Sequence, residues 1–217
     1  MPVSTRRALG AVVAALGIVF VALGAWMVVI LGPSGEAQFS ATSKALGAVV
    51  IPPGVLNAVD VPVQITATRP DGGPVSIVTA PSNDARAILA NSAVTTASAV
   101  HFPDATLDLH ASGAGALTDL SSSDIWRLAA KSPGSAHLMV DQSKAPETAV
   151  VTSGDATDLG DVTVTLTWAN RGWFFEALAA ATIGAVLAVF AVNDLWQGRA
   201  LAVRSDVGET KTSEATV

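Results

Sequence analysis

Hydrophobic and polar positions divide this chain into two long apolar runs with a mostly polar stretch between them. Residues 8–31 include no charged side chain over 24 positions, and residues 174–192 include one ionisable group, Glu176, close to the start. A helix of 24 residues is about 36 Å long, whereas the hydrocarbon core of a bilayer is about 30 Å thick. The pattern therefore predicts transmembrane helices over 8–32 and 173–195.

The polar stretch shows the alternation of apolar and polar residues that is typical of half-buried β-strands. Turn residues rich in Pro and Gly at 69–74 predict a hairpin formed by 61–67 and 75–79. Ser82 as an N-cap predicts one short helix over 83–91. Further strands are predicted at 46–51, 107–111, 125–130, 137–140, 148–152 and 162–168.

Together these elements predict a mainly antiparallel β-sandwich of about seven to nine strands with one short helix. A stretch of about 140 residues is close to the commonest domain size, so it can bury a core of its own. The chain has no cysteine. The domain must therefore be stable without disulfide bonds, and thiol chemistry is excluded.

Basic residues lie beside the outer ends of both apolar runs and predict the orientation of the chain. Arg6 and Arg7 precede the first run, and Arg199 and Arg204 follow the second. Because Lys and Arg near short loops resist translocation, we expect both termini in the cytoplasm of a plasma-membrane protein. The expected layout is a cytoplasmic N-terminus at 1–7, an extracytoplasmic domain at 33–172 and a cytoplasmic, largely disordered tail at 196–217.

An alternative is that the first apolar run belongs to a cleaved signal peptide, with Gly35 and Ala37 at the cleavage site. The pair Arg6 and Arg7 is also compatible with a twin-arginine signal. The run is longer than the roughly 7 to 15 apolar residues of a signal peptide, so retention as an anchor is favoured. The second helix holds the domain at the membrane in either case.

Aromatic and basic residues cluster where the second predicted helix meets the two membrane surfaces. Such residues anchor helices at the level of the lipid headgroups, because they combine an apolar body with a polar tip. The predicted interfacial anchors are Trp168, Arg171, Trp173, Phe174 and Trp196.

Small residues recur along one face of each predicted helix. Three glycines of the first helix are spaced by seven residues, and the second helix repeats Ala or Gly every three or four residues. Small side chains let helix backbones approach closely, which is a main source of association energy in lipid. The predicted helix-packing residues are Gly10, Ala14, Gly17, Gly24, Ala177, Ala181, Gly184 and Ala188. The spacing leaves open whether they pack within one chain or between chains.

Charge limits the partners of the polar stretch. Residues 33–172 include thirteen acidic and seven basic side chains, a net charge of −6. Such a domain is a poor candidate for binding nucleic acid. The expected partners are membrane lipid and another membrane or envelope protein, or a second copy of this chain.

Motifs for catalysis and metal binding are weak. His101, His110 and His137 lack the short spacing of a zinc site, so we predict no metal and no cofactor. No nucleophile elbow, Ser-x-x-Lys set or phosphate-binding loop occurs in the sequence, which argues against an enzyme. A calcium site could be built from three carboxylates, Asp155, Asp158 and Asp161. They lack the spacing of a calcium-binding loop, so we predict a solvated loop instead.

Five segments of the chain resemble a loose group of actinobacterial membrane proteins. They are 61–67, 70–75, 82–89, 124–126 and 162–173. The resemblance implies an N-terminal membrane helix, an extracytoplasmic β-rich domain with a Pro-Asp-Gly hairpin, and a C-terminal membrane segment. It also implies a location in the cell envelope, and it transfers no catalytic or binding residue.

The sequence thus predicts a two-pass membrane protein that acts as an accessory, scaffold or interaction subunit of the bacterial cell envelope. The alternative is an extracytoplasmic sensor, because only about four residues separate the last predicted strand from the second helix. The predicted cytoplasmic parts are too small for a signalling domain, so a sensor would need a partner. An envelope hydrolase is the least favoured class.

Overall fold

The computed structural model describes residues 3–45, 47–117, 120, 123–141, 146–153 and 158–213. Side chains are described for these residues except 3–7, 45, 194, 195 and 197–213. The chain forms two compact units. The helix unit comprises Met1–Gly35 with Arg171–Val217, and the β unit comprises Glu36–Asn170.

The helix unit contains two long helices, α1 (Val3–Leu31) and α4 (Arg171–Ser213). The first matches the predicted apolar run closely. The second continues well beyond residue 195, where the sequence predicts the membrane helix to end and a disordered tail to follow. Residues 196–213 contain no proline and several strong helix formers, so nothing in them stops the helix.

The described residues of the β unit form ten strands and two short helices. The helices are α2 (Pro53–Leu56) and α3 (Ser82–Leu89). The strands are β1 (Glu36–Ala45), β2 (Ala48–Ile51), β3 (Val63–Thr68), β4 (Pro74–Pro81), β5 (Val94–His101), β6 (Thr106–Ser112), β7 (Leu128–Pro133), β8 (Ser135–Val140), β9 (Glu147–Thr152) and β10 (Gly160–Ala169).

All ten strands belong to one sheet, in the order β7-β4-β9-β2-β5-β6-β1-β10-β3-β8. The prediction of a β-rich, mainly antiparallel domain is confirmed, but a sandwich of seven to nine strands is not. The first and last strands in this order are consecutive in the chain, and Gly134 alone joins them. The sheet is therefore rolled until it is nearly a barrel.

The predicted hairpin at 61–79 is wrong. β3 pairs with β10 and β8, whereas β4 pairs with β7 and β9. The turn at 69–73 is a crossing, since it connects strands in two different parts of the sheet. It lies beside Gly134, which forms a similar crossing between β7 and β8. The two crossings hydrogen-bond to each other, from Arg69 N to Gly134 O at 2.8 Å and from Gly134 N to Gly73 O at 2.9 Å.

Two strands and one capping detail escape the sequence patterns. β1 and β5 are not predicted, although β1 is central and lies between β6 and β10. Helix α3 forms where a short helix is predicted, but Pro81 occupies its N-cap position and no side chain caps it. Ser82 instead accepts a hydrogen bond from the Thr148 hydroxyl at 3.0 Å.

In one part of the sheet of the β unit, core residues cover both faces. Trp168 is fully buried on the inner face, where its ring meets Phe39 edge to face at 5.6 Å between centroids. On the opposite face, Val78 and Val150 lie beneath α3 and Leu120. Strands β4 and β9 are consequently buried on both sides and lack the alternation of exposed and buried positions.

Candidate functional site

The two long helices bury one residue in seven along a shared line, which we call the seam. On α1 the buried residues among the described side chains are Gly17, Gly24 and Leu31. On α4 they are Ala177, Gly184 and Ala191. A spacing of seven residues keeps a residue on the same face of a helix that coils with left-handed sense around its neighbour.

The helix backbones touch along the seam. A Cβ atom added to Gly17 would lie 2.8 Å from the backbone nitrogen of Ala188 and from the carbonyl oxygen of Gly184. A Cβ atom added to Gly24 would lie 2.6 Å from the backbone nitrogen of Ala181. The residue numbers rise on α1 while they fall on α4, so the two helices are antiparallel.

The structure brings most of the predicted packing residues together within one chain. Gly17 and Gly24 meet the α4 residues that the sequence analysis singles out: Ala177, Ala181, Gly184 and Ala188. Gly10 and Ala14 are half-buried on α1. Leu31 is not among the predicted packing residues. It lies seven residues after Gly24, so the same spacing could have identified it.

The remaining faces of both helices expose large apolar side chains. The helices include two segments long and apolar enough to cross a membrane, Ala8–Leu31 and Arg171–Asn193. The exposed set on α1 is Leu9, Val12, Leu16, Ile18, Val19, Phe20, Leu23, Trp26, Val29 and Ile30. The exposed set on α4 is Phe175, Leu178, Ile183, Val186, Leu187, Val189, Phe190, Val192 and Trp196.

One predicted interfacial anchor is wrong. Trp168 has no exposed surface and belongs to the core of the β unit, where its indole nitrogen donates to the Leu56 carbonyl at 3.4 Å. It is the last inward-facing residue of β10, and the sequence pattern does not distinguish a core position at a strand end from an interfacial one. The other four predicted anchors lie on α4. Arg171 and Trp196 are exposed, and Trp173 and Phe174 are half-buried.

The histidines of the β unit lie on separate strands. His101 on β5 pairs with Asp108 at 2.7 Å, and His137 on β8 bonds to the Thr66 hydroxyl at 2.9 Å. His110 is exposed on β6. In the described part of the chain, no group of three or more potential ligands is close enough to hold a metal ion. Asp158 and Asp161 are exposed, and Asp155 lies outside the described residues.

An arginine and an aspartate organise the turn between β3 and β4. Arg69 has only 10% of its side chain exposed, and its guanidinium donates to both carboxylate oxygens of Asp71 and to the Pro74 carbonyl. The hydrogen bond from Arg69, followed by one from the Gly73 backbone, lowers the pKa of the Asp71 carboxyl below its ordinary value. The pair fixes the turn by which the chain passes between distant strands of the sheet.

A groove of about 480 Å³ runs beside α3 on the outside of the sheet. Its apolar lining includes Val50, Leu89 and Val94. Its polar lining includes Ser82 and Arg86, both from α3. A concave, mostly apolar site with a few polar groups is the usual form of a small-molecule site.

No protein-family model matches the chain, and no curated protein matches it. Three solved structures show weak likeness. A Bacillus endospore appendage, described as one of a family of disulfide-linked pili, is 15% identical, with 62% of this chain and 88% of that chain covered at a TM-score of 0.25. The structure of Mud Crab Dicistrovirus is 11% identical, with 64% of this chain and 74% of that chain covered at a TM-score of 0.26. The flagellar cap protein of Escherichia coli is 11% identical, with 87% of this chain and 72% of that chain covered at a TM-score of 0.23. At these TM-scores the likeness carries no conclusion about fold or function.

Proposed function

We propose that this protein crosses the bacterial plasma membrane twice and presents its β unit outside the cell as an interaction or scaffold subunit of the envelope. The observation that carries the proposal is the seam between α1 and α4. Small residues face inward there and large apolar residues face outward, which is the arrangement that helices adopt in lipid. In water, an apolar surface of this extent would cause association.

The orientation of the proposal follows from the basic residues near the ends of the chain. With Arg6, Arg7 and Arg199 retained in the cytoplasm, an antiparallel helix pair places residues 33–172 on the outer side. Because the helices pair within one chain, the surface left for a membrane partner is the outward face of the pair.

The absence of cysteine in the sequence makes the topology directly testable. Single cysteines at Ser112 and at Ser213 are labelled in cells with a maleimide that cannot cross membranes. We expect Ser112→Cys to be labelled in intact cells and Ser213→Cys only after permeabilisation. Labelling of both positions in intact cells, or of neither before permeabilisation, overturns the two-pass layout.

The interaction role requires a partner, so the full chain is crosslinked in intact cells and purified in mild detergent. We expect a defined envelope protein, or a second copy of this chain, to be recovered with it. A charge placed on the outward face, Phe190→Glu, tests whether the helix pair is the contact. Recovery of the lone monomer from crosslinked cells contradicts the proposal.

A sensor is the second candidate, and the connection between β10 and α4 supports it. Strand β10 ends at Ala169 and α4 begins at Arg171, so one residue separates them. A short link can pass a change in the β unit to the helix with little loss. If the protein is a sensor, four glycines inserted after Asn170 should abolish its output. If it is a scaffold, the same insertion should leave the abundance of the crosslinked partner unchanged, so this abundance separates the two outcomes.

A further inference from the structure

The groove beside α3 contains the elements of a binding site that the proposed function does not use. Its floor is apolar, with Val50 from β2, Leu89 from α3 and Val94 from β5. Its volume of about 480 Å³ lies within the range of small-molecule sites, which is roughly 300–1,000 Å³. The floor therefore suits an apolar chain rather than a sugar or a nucleotide.

A cationic side chain lines the groove beside its apolar floor. Among the described residues that line the groove, Arg86 is the only charged one. In the described part of the chain, Arg86 forms no ion pair and no hydrogen bond, and its side chain is exposed. A guanidinium without a partner at the edge of an apolar groove complements a carboxylate or phosphate, which it can bind through two parallel hydrogen bonds.

The start of α3 supplies donors at the same groove. Ser82 accepts a hydrogen bond from the buried Thr148 hydroxyl, so its own hydroxyl proton remains available for a ligand. No side chain caps the helix. The backbone N–H groups of its first turn thus add positive potential, which favours an anion. Asp84 in that turn is exposed and does not line the groove.

From this combination we propose that the groove binds a single-chain anionic amphiphile, such as a long-chain carboxylate. The tail lies on the floor formed by Val50, Leu89 and Val94, and the head group bonds to Arg86 and Ser82. The proposal does not depend on the proposed function, because every residue that carries it belongs to the β unit.

The test is photolabelling of the full chain in nanodiscs of zwitterionic phosphatidylcholine. The probe is dodecanoate with a diazirine on its tail, and the matched uncharged probe is the corresponding alcohol. We expect the carboxylate to label peptides that contain residues 50–54 or 82–96, and excess decanoate to reduce this labelling about tenfold. The alcohol should label these peptides at least tenfold less, since a charged hydrogen bond is lost.

Three variants locate the head group and the tail. Arg86→Glu should reduce labelling of the groove about tenfold or more, and Ala90→Trp should reduce it by filling the groove. Lys44→Glu is the matched charge reversal on β1 and should leave labelling unchanged. Thermal unfolding checks that each variant keeps the parent fold, and both affected positions are exposed.

Several results overturn the proposal. Equal labelling of the groove by the alcohol, or undiminished labelling of Arg86→Glu, excludes the anion site. Labelling confined to α1 and α4 shows only partition of the probe into lipid. Nanodiscs that contain phosphatidylglycerol provide a further arm. If that lipid protects the groove, the occupant is a bilayer phospholipid and the single-chain assignment is wrong. Topology labelling is unaffected by any of these results, so the two proposals fail separately.

Discussion

The helix unit and the β unit place their large apolar side chains in opposite ways. The described part of the chain exposes 22 large apolar residues, and 19 of them lie on α1 and α4. The described part of the β unit exposes Phe102, Leu128 and Met139, whereas its other large apolar residues are half-buried or buried, Trp168 and Ile65 completely. One chain therefore follows two packing rules, and the boundary between them lies at Gly35 and Asn170.

The difference is the one that the proposed membrane location predicts for the two units. In water, burial of large side chains supplies most of the favourable free energy of folding. In lipid, the tails are as apolar as leucine, so helices gain by close backbone contact instead. Glycine is consequently a core residue in the seam, whereas tryptophan is a core residue in the sheet.

The two rules predict opposite sensitivities to mutation. Making a residue smaller should harm the β unit, because it leaves a cavity. Making a residue larger should harm the seam, because the nearest atoms to Gly17 and Gly24 are backbone atoms that cannot move aside.

Two tryptophans offer the widest contrast. Trp168→Ala should destabilise the β unit by about 3–5 kcal/mol, because a fully buried indole is lost along with its hydrogen bond. Trp196→Ala, with 73% of its residue surface exposed on α4, should leave the stability of the β unit unchanged. The measurement is pulse proteolysis of the full chain in urea. Equal losses in the two variants would refute the division into two packing rules.

The seam is tested by enlargement. Gly24→Leu should separate α1 from α4, since even a Cβ atom there would lie 2.6 Å from a backbone nitrogen. Ala22→Leu, at an exposed position of the same helix, should have no effect. Cysteines introduced at Val21 and Ala180, both half-buried beside the seam, report pairing through a short bifunctional thiol crosslinker. Crosslinking that survives in Gly24→Leu shows that the helices do not meet along this seam.

Much of the helix unit was predictable, and the reason is its chemistry. A run of 24 uncharged residues can hardly be anything but a long helix, and a glycine every seven residues marks one face of it. The end of α4 was not predictable in the same way. Residues 205–213 are polar and lack periodicity, but they also lack proline, and composition alone does not tell a polar helix from a disordered tail.

The β unit was predictable in class but not in topology. Alternation identifies strands such as β3 and β10, because each has one face in the core. It cannot state which strands pair. β3 and β4 look like a hairpin in sequence, yet Arg69 and Gly134 divert them to different neighbours. The groove was not predictable from the sequence for a similar reason, since its lining comes from α2, α3 and three strands that are far apart in sequence.

A smaller effect is expected where the two crossings of the sheet meet. Gly134 has a φ of +71°, and Ala in that region costs about 1–2 kcal/mol. Gly134→Ala should therefore lower the stability of the β unit by about this amount. Gly54→Ala is the control, because its backbone needs no positive φ and no atom lies within 4 Å of the added carbon. Urea unfolding measures both, and equal stabilities would remove the conformational role of Gly134.

The smallest effect is a dependence on pH at the turn beside Gly134. Arg69 lowers the pKa of Asp71 in the folded chain, so the carboxylate stabilises the fold fully at neutral pH. That contribution is lost as the pH falls through the lowered pKa, below the ordinary range of an aspartate. Asp71→Asn should therefore be less stable than the parent at pH 7, and the difference should shrink between about pH 5 and about pH 2. Asp104→Asn, which removes an exposed carboxylate in the loop after β5, is the matched control. A difference for Asp71→Asn that does not vary with pH would show that the ionised carboxylate does not support the turn.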